Sequence, residues 1–242
     1  MLFWKGLKKM YDVLSGIYDE FNKGFDYGLY LEKIFESWNL PDKGLALDCG
    51  CGTGEIIKLL SDRGYECTGI YSNSGMLAVA ADKLEKSGYI PHLVCQDLAC
   101  IDLYGAYDIA FCTLDTVNHI TDKKCLKKFF SRLYNFIEPH GFFVFDIKTK
   151  SGFMKNSGCN IYDSNGDIMM MKSDFKNNYA VYEFLLFEKT SDGKYEMYTD
   201  FVEERYYEPV EIKALVNAAG LDFIGRERFG NRLIYCFQKN NC

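Results

Sequence analysis

The sequence predicts an α/β fold, a mostly parallel sheet with helices on both faces and an antiparallel insertion. Three observations carry that reading. Helical and extended patterns alternate five times in the first 150 residues, as strand–helix–strand crossovers require. Glycines crowd directly after the first buried strand. Beyond residue 151 the alternation gives way to extended segments rich in Met, Phe and Tyr.

Residues 27–38 place Leu31, Ile34, Phe35 and Trp38 on one face of a helix ended by Pro41. Residues 44–47 form a short buried strand, 54–61 a helix stopped near Gly64, and 66–70 a second strand. Asn73 or Ser74 caps a helix over 75–86 that ends at Gly88. Strands follow at 92–95 and 107–112. Thr121 or Asp122 starts the most regular helix, with Leu126, Phe129, Phe130, Leu133, Phe136 and Ile137 on one stripe before Pro139, and 141–147 is a fifth strand. Within 151–207, turn signals at Asn165-Gly166, Asn177-Asn178 and Asp192-Gly193 mark antiparallel strands. A helix over 209–219, with Pro209 at its start and Gly220 after its end, precedes strands near 222–229 and 233–238. These bring the main sheet to seven strands. No repeat or linker divides the chain, so residues 1–242 are expected to form a single domain with an N-terminal helical lid (1–40) and a cap insertion (151–207).

Composition bounds the function. The 242 residues are 48% hydrophobic and 26% charged, enough for a core without disulfide staples. Ten cysteines with no CxxC pair, many in apolar runs, read as reduced thiols of a cytoplasmic protein. Cys49 and Cys51 lack the ligand set of a metal site, and none is expected. No apolar stretch approaches the roughly 20 residues of a membrane helix, and the start MLFWKGLKKMY has no secretory pattern. With 34 acidic against 28 basic residues and a net charge of −6, nucleic acid is a disfavoured partner. The 18 Tyr and 19 Phe predict an aromatic-lined cavity as well as a core.

The stretch Asp48-Cys49-Gly50-Cys51-Gly52-Thr53-Gly54-Glu55 joins a buried strand to a helix. Its glycines allow a tight turn and bring backbone N–H groups to a ligand. A dinucleotide fingerprint would put its third glycine at 55, where Glu55 would face a pyrophosphate; a cationic or zwitterionic ligand suits the loop better.

The run LALDCGCGTGE resembles motif I of the class I S-adenosylmethionine-dependent methyltransferases, whose fold is Rossmann-like and doubly wound. Residues 64–77, Cys95-Gln96-Asp97-Leu98 and 107–120 are similar to that family's next three motifs. Tyr11, Tyr18-Asp19, Asp26-Tyr27 and Glu204-Arg205-Tyr206-Tyr207 resemble its bacterial small-molecule members, which carry an antiparallel cap after the fifth strand. The resemblance implies S-adenosylmethionine as cofactor, S-adenosylhomocysteine as product, and N- or O-methylation of a small molecule. It implies that Asp48, Gly50, Cys51, Gly52 and Gly54 surround the methionine part, and that Asp97 and Leu98 meet the adenine. Tyr18 would close over the cofactor, with Tyr11 near the substrate. Asp115 and His119 would face the transferable methyl as orienting group and base. Arg205 would pair with Glu204 or meet an anionic acceptor. Loop fixing remains the alternative for Asp115, and packing for Tyr18.

One position departs from the pattern. Where the family has an acid for the ribose hydroxyls, this chain has Tyr71, followed by Ser72. A hydrogen bond to a charged acceptor is worth roughly 1.5–3 kcal/mol, so the change would weaken cofactor binding by about ten- to a hundredfold. The alternative function is therefore a catalytically impaired or regulatory protein that binds S-adenosylmethionine or S-adenosylhomocysteine on the same fold. The sequence leaves the acceptor and the oligomeric state undetermined.

Overall fold

A computed structural model describes residue 19 and residues 24–164 and 166–240. The predicted sites Tyr11 and Tyr18, and Asn165 of one predicted turn, lie outside the described residues. In chain order the elements are α1 (Tyr27–Ser37), β1 (Leu45–Cys49), α2 (Glu55–Asp62), β2 (Glu66–Tyr71), α3 (Ser74–Lys86), β3 (His92–Cys95), β4 (Tyr107–Cys112), α4 (Thr116–His119), α5 (Lys123–Leu133), β5 (Ile137–Lys148) and α6 (Lys150–Lys155). There follow β6 (Gly158–Ser164), β7 (Asp167–Lys176), β8 (Tyr179–Lys189), β9 (Tyr195–Arg205), α7 (Pro209–Asn217), β10 (Leu221–Phe229) and β11 (Arg232–Lys239).

The seven-stranded sheet has the order β10-β11-β5-β4-β1-β2-β3. Strands β1 to β5 run parallel, and β11 closes antiparallel on β5 with β10 antiparallel beside it. The strand order reverses between β1 and β4, which places a ligand crevice at their carboxyl ends. Alternate residues of the sheet feed two cores. Leu47, Cys112, Phe143, Phe145, Tyr235 and Phe237 pack with the α5 and α7 side chains. Ala46, Phe111, Val144, Ile234 and Cys236 pack with α1 and α2. This period of two on a sheet covered on both faces explains the continuous apolar strands.

The aromatic residues have their largest role in the first of these cores. Phe143 and Phe145 stack at 5.0 Å, and Tyr235 lies 5.2 Å from Phe145 at an interplanar angle of 9°. The Tyr235–Phe145 pair is cross-strand, and aromatic pairs of this kind contribute beyond their buried area.

The insertion is a separate antiparallel sheet, β6-β7-β8-β9. Asn177 and Asn178 turn β7 into β8 with positive φ at both residues, as a tight hairpin demands. Two local boundaries differ from the sequence reading. The α5 stripe stops at Leu133, so that Phe136 ends a 3-10 turn and Ile137 opens β5. Pro139 thus sits in a strand end whose partner β4 shifts register there, a place where a missing N–H costs no ladder bond. A short helix, α4, stands directly after β4, where the sequence reading had a loop-to-helix junction at His119. Among the described residues no helix is long and apolar enough to cross a membrane.

Candidate functional site

A cavity of about 300 Å³ opens at the carboxyl ends of β1, β2, β3 and β4. Its wall contains Asp48, Gly50, Cys51, Gly52, Tyr71, Ser72, Asp97, Leu98 and His119, so nine of the residues singled out in the sequence meet in one place.

Asp48 ends β1 at 2% exposure, and its Oδ2 has no hydrogen-bond partner among the described residues. Burial pushes its carboxyl up to about 7, because a desolvated carboxylate without a partner favours its neutral form. The glycine loop beside it is shaped by close approach. Gly50, at φ +89°, lies so near Thr116 that a Cβ would come within 2.4 Å of its methyl carbon. Gly52 also has positive φ. Gly54 differs in role: it caps α2 at φ +83°, its missing Cβ faces Ala80 of α3 at 3.2 Å, and it lies behind the cavity wall. The loop is also tied by Lys83, whose ammonium bonds Glu55 at 2.5 Å and Asp19 at 2.6 Å, while Thr53 donates to Asp19 at 2.6 Å. The buried thiols of Cys49 and Cys51 are pushed well up by burial and then by Asp48, so they remain protonated fillers of the core.

At the next strand ends, Asp97 accepts from the Ala99 N–H at 2.7 Å and is otherwise exposed. Gln96 beside it bonds the main chain of Asp102 in both directions. Tyr71 is half-buried, leaning on the α1–α2 core while it lines the cavity.

Asp115 and Arg205 are placed elsewhere than expected. Asp115 is 8% exposed and absent from the cavity wall. Its carboxylate is forked to Arg232, by Nη1 to Oδ1 and by Nη2 to Oδ2 at 3.0 Å, and Lys148 Nζ stands 3.2 Å away. Burial alone would raise this carboxyl; Arg232 and Lys148 override it and hold it at about 2. These contacts tie its own loop to β5 and β11. Arg205 packs its guanidinium between the rings of Tyr179 and Tyr207, at 5.3 and 5.1 Å, and donates to the Thr121 carbonyl at 3.0 Å. Its sequence neighbour Glu204 pairs with Lys148 at 2.7 Å in place of Arg205. Glu204 also stands 3.6 Å from Nε2 of His119.

Sequence reasoning missed the other wall: Tyr27, Thr113, Leu114, Thr116 and Ile120. Leu114 and Asp115 both have positive φ, 58° and 68°, a conformation that costs of order 1–3 kcal/mol per non-glycine residue and survives where its surroundings over-determine it. The hints in the sequence are the likeness of residues 107–120 to a family motif and the Asp26-Tyr27 pair. Tyr27 and Tyr71 are the aromatic residues of the wall among the described residues, and none of the described residues of the insertion lines it.

The arrangement fits a zwitterionic cofactor. Asp48 offers an acceptor to an ammonium and Asp97 offers acceptor oxygens two strands away, while the Gly50 and Cys51 N–H groups are held internally by the Ile70 carbonyl and fix the loop. The comparisons with known proteins agree with the geometry. Residues 46–141 match a family model described as "Methyltransferase domain", and the fold is that of the class I S-adenosylmethionine-dependent methyltransferases. Among particular relatives, YqeM of Bacillus subtilis (strain 168), provisionally named a methyltransferase, is 32% identical over 139 residues, 57% of this chain and 55% of that one. The match thus spans about half of YqeM. A solved S-adenosylmethionine-dependent methyltransferase from Clostridium acetobutylicum ATCC 824 superposes with a TM-score of 0.80 at 25% identity, covering 96% of this chain and all of the other. CalS10 of Micromonospora echinaspora, an amino pentose methyltransferase solved with S-adenosylmethionine bound, shares the fold at TM-score 0.73 and 17% identity over 99% of this chain and all of its own. S-adenosylmethionine is the cofactor of this class.

Proposed function

We propose that this chain is an S-adenosylmethionine-dependent methyltransferase (EC 2.1.1 type) that methylates a nitrogen or oxygen of a small molecule and releases S-adenosylhomocysteine. The observation that carries the reading is the buried Asp48 carboxyl, which lines the cavity beside the glycine loop and whose Oδ2 has no hydrogen-bond partner among the described residues. Asp48 would take the amino group of the methionine part, with the backbone of Gly50, Cys51 and Gly52 around it. Tyr71, Ser72, Asp97 and Leu98 would surround the adenosine. The cofactor supplies a methyl on a sulfonium, already a good leaving group, so the protein has only to orient the nucleophile, exclude water and remove a proton.

Thr113, Leu114, Thr116 and His119 form the wall on the β4 side, where the acceptor would lie. His119 is the wall's one imidazole, with 39% of its side chain exposed, and would accept the proton that the acceptor's nitrogen or oxygen loses. Asp48, Glu55 and Asp97 line the cavity, and no Lys or Arg does so among the described residues. Without a cation in the wall to receive a phosphate, an uncharged acceptor or an amine is favoured over a phosphorylated one. CalS10, an amino pentose methyltransferase, sets a precedent for an amine acceptor on this fold. Calorimetric titration with S-adenosylmethionine tests the reading: wild-type protein binds, while Asp48→Ala and Gly52→Val lose binding by at least about a hundredfold. Undiminished affinity in both variants would sink the assignment.

A further inference from the structure

Behind the acceptor wall stands a carboxylate that the methyl-transfer reading does not use. Asp146 of β5 is fully buried, and four donors converge on it. Oδ2 accepts from the Tyr30 hydroxyl at 2.5 Å and from the Leu114 N–H at 3.0 Å. Oδ1 accepts from the Asp115 N–H at 3.0 Å and from Arg232 at 3.2 Å. Two successive backbone N–H groups in left-handed conformation form a concave nest for an anion, and here the anion is part of the protein. Leu114 lines the cavity, flanked by Thr113 and followed by Thr116 and His119.

We propose that Asp146 is a positioning residue: its carboxylate holds the Leu114–Asp115 turn in its left-handed form and thereby sets where Thr113, Leu114 and His119 stand against the transferable methyl. The proposal rests on the methyl-transfer reading above. Without that carboxylate the two N–H groups would turn toward other acceptors, and both residues would relax toward ordinary φ. Arg232 binds Asp146 and Asp115 together, which fixes the turn from the side-chain end as well. Tyr30 remains a donor throughout, since burial and then Asp146 push its hydroxyl well above its ordinary value.

The test uses two ligands that differ at the sulfur and at the methyl position. S-adenosylhomocysteine has a neutral thioether with nothing in the place of the methyl, whereas sinefungin has a carbon in place of the sulfur and an amino group in the place of the methyl. In Asp146→Asn, affinity for S-adenosylhomocysteine stays within about threefold of wild type while that for sinefungin falls about tenfold or more, the loss expected when groups at one end of a site are misplaced. Equal losses for both ligands, or none, overturn the proposal. Amide hydrogen exchange of the wild-type protein gives a second reading that does not depend on the variant folding. The Leu114 and Asp115 amides exchange at least about a hundredfold more slowly than exposed loop amides, and unprotected exchange at either overturns the clamp. Wild-type protein that binds neither ligand overturns the methyl-transfer reading and the positioning role with it; protected amides would then mark Asp146 as purely structural.

Discussion

Asp48 and Asp146 are both buried near the carboxyl ends of strands in the same sheet, and they are handled in opposite ways. Asp48 keeps an oxygen without a partner among the described residues and has its carboxyl pushed to about 7 by burial. Asp146 takes four hydrogen bonds from a hydroxyl, two main-chain amides and a guanidinium. A buried acid saturated by its own protein is architecture. One left unsaturated at a cavity is a standing cost that a ligand can remove, which separates a binding group from a building group more sharply than burial does.

Three experiments would break or sharpen that contrast. Replacing Arg232 with Met leaves Asp115 and Asp146 short of their shared cation. The expected loss of unfolding free energy in urea is about 3–5 kcal/mol, the usual cost of orphaning a buried charge; a loss below about 1 kcal/mol would mean that the cluster is not held as described.

Next in size is Asp48→Asn. A buried carboxyl raised from 3.8 to about 7 binds its proton more tightly folded than unfolded, so its contribution makes the protein less stable as pH rises from about 4 to 7. Removing the charge should stabilise the ligand-free protein by on the order of 2–4 kcal/mol at pH 8 and by far less at pH 4. The sign for the ligand is opposite: a cationic ligand prefers ionised Asp48, so wild-type affinity for S-adenosylmethionine should climb through pH 7 and then level off. A flat profile would remove Asp48 from the site.

The smallest effect expected is that of Tyr71→Asp, which adds a carboxylate at the end of β2. Cofactor affinity should strengthen about ten- to a hundredfold by calorimetry. No change would mean that the tyrosine already replaces the acid's contacts.

Most of the fold was legible in the sequence, and nine of the residues singled out there line one cavity. Each strand–helix repeat leaves a local periodicity, and the glycine loop works through positive φ and close approach, which only glycine tolerates readily. The β4 side of the cavity was hidden because its shape is set over long sequence distances. Asp146 reaches back 32 residues to Leu114 and 116 to Tyr30, and Arg232 lies 117 from Asp115. No short window links such partners. Asp115 was read as a site residue because it sits at a strand's carboxyl end, the right address for chemistry; Arg232, arriving from β11, turns it inward. The aromatic count pointed to a lined cavity because composition cannot tell a pocket from a stacked ladder such as Phe143, Phe145 and Tyr235.

The segment between β4 and α5 is held from the insertion side largely through its main chain. The Arg205 guanidinium bonds the Thr121 carbonyl, the Tyr207 hydroxyl bonds the Ile120 carbonyl, and Asn118 links the Arg205 carbonyl to the Lys148 amide. Carbonyls are the same whatever residue carries them. Ile120 and His119 can therefore be exchanged without unfastening the segment, and a gene under selection for a new acceptor could explore those positions while the scaffold stays still. In evolutionary terms, variation is permitted where the substrate would be chosen and forbidden one layer behind it.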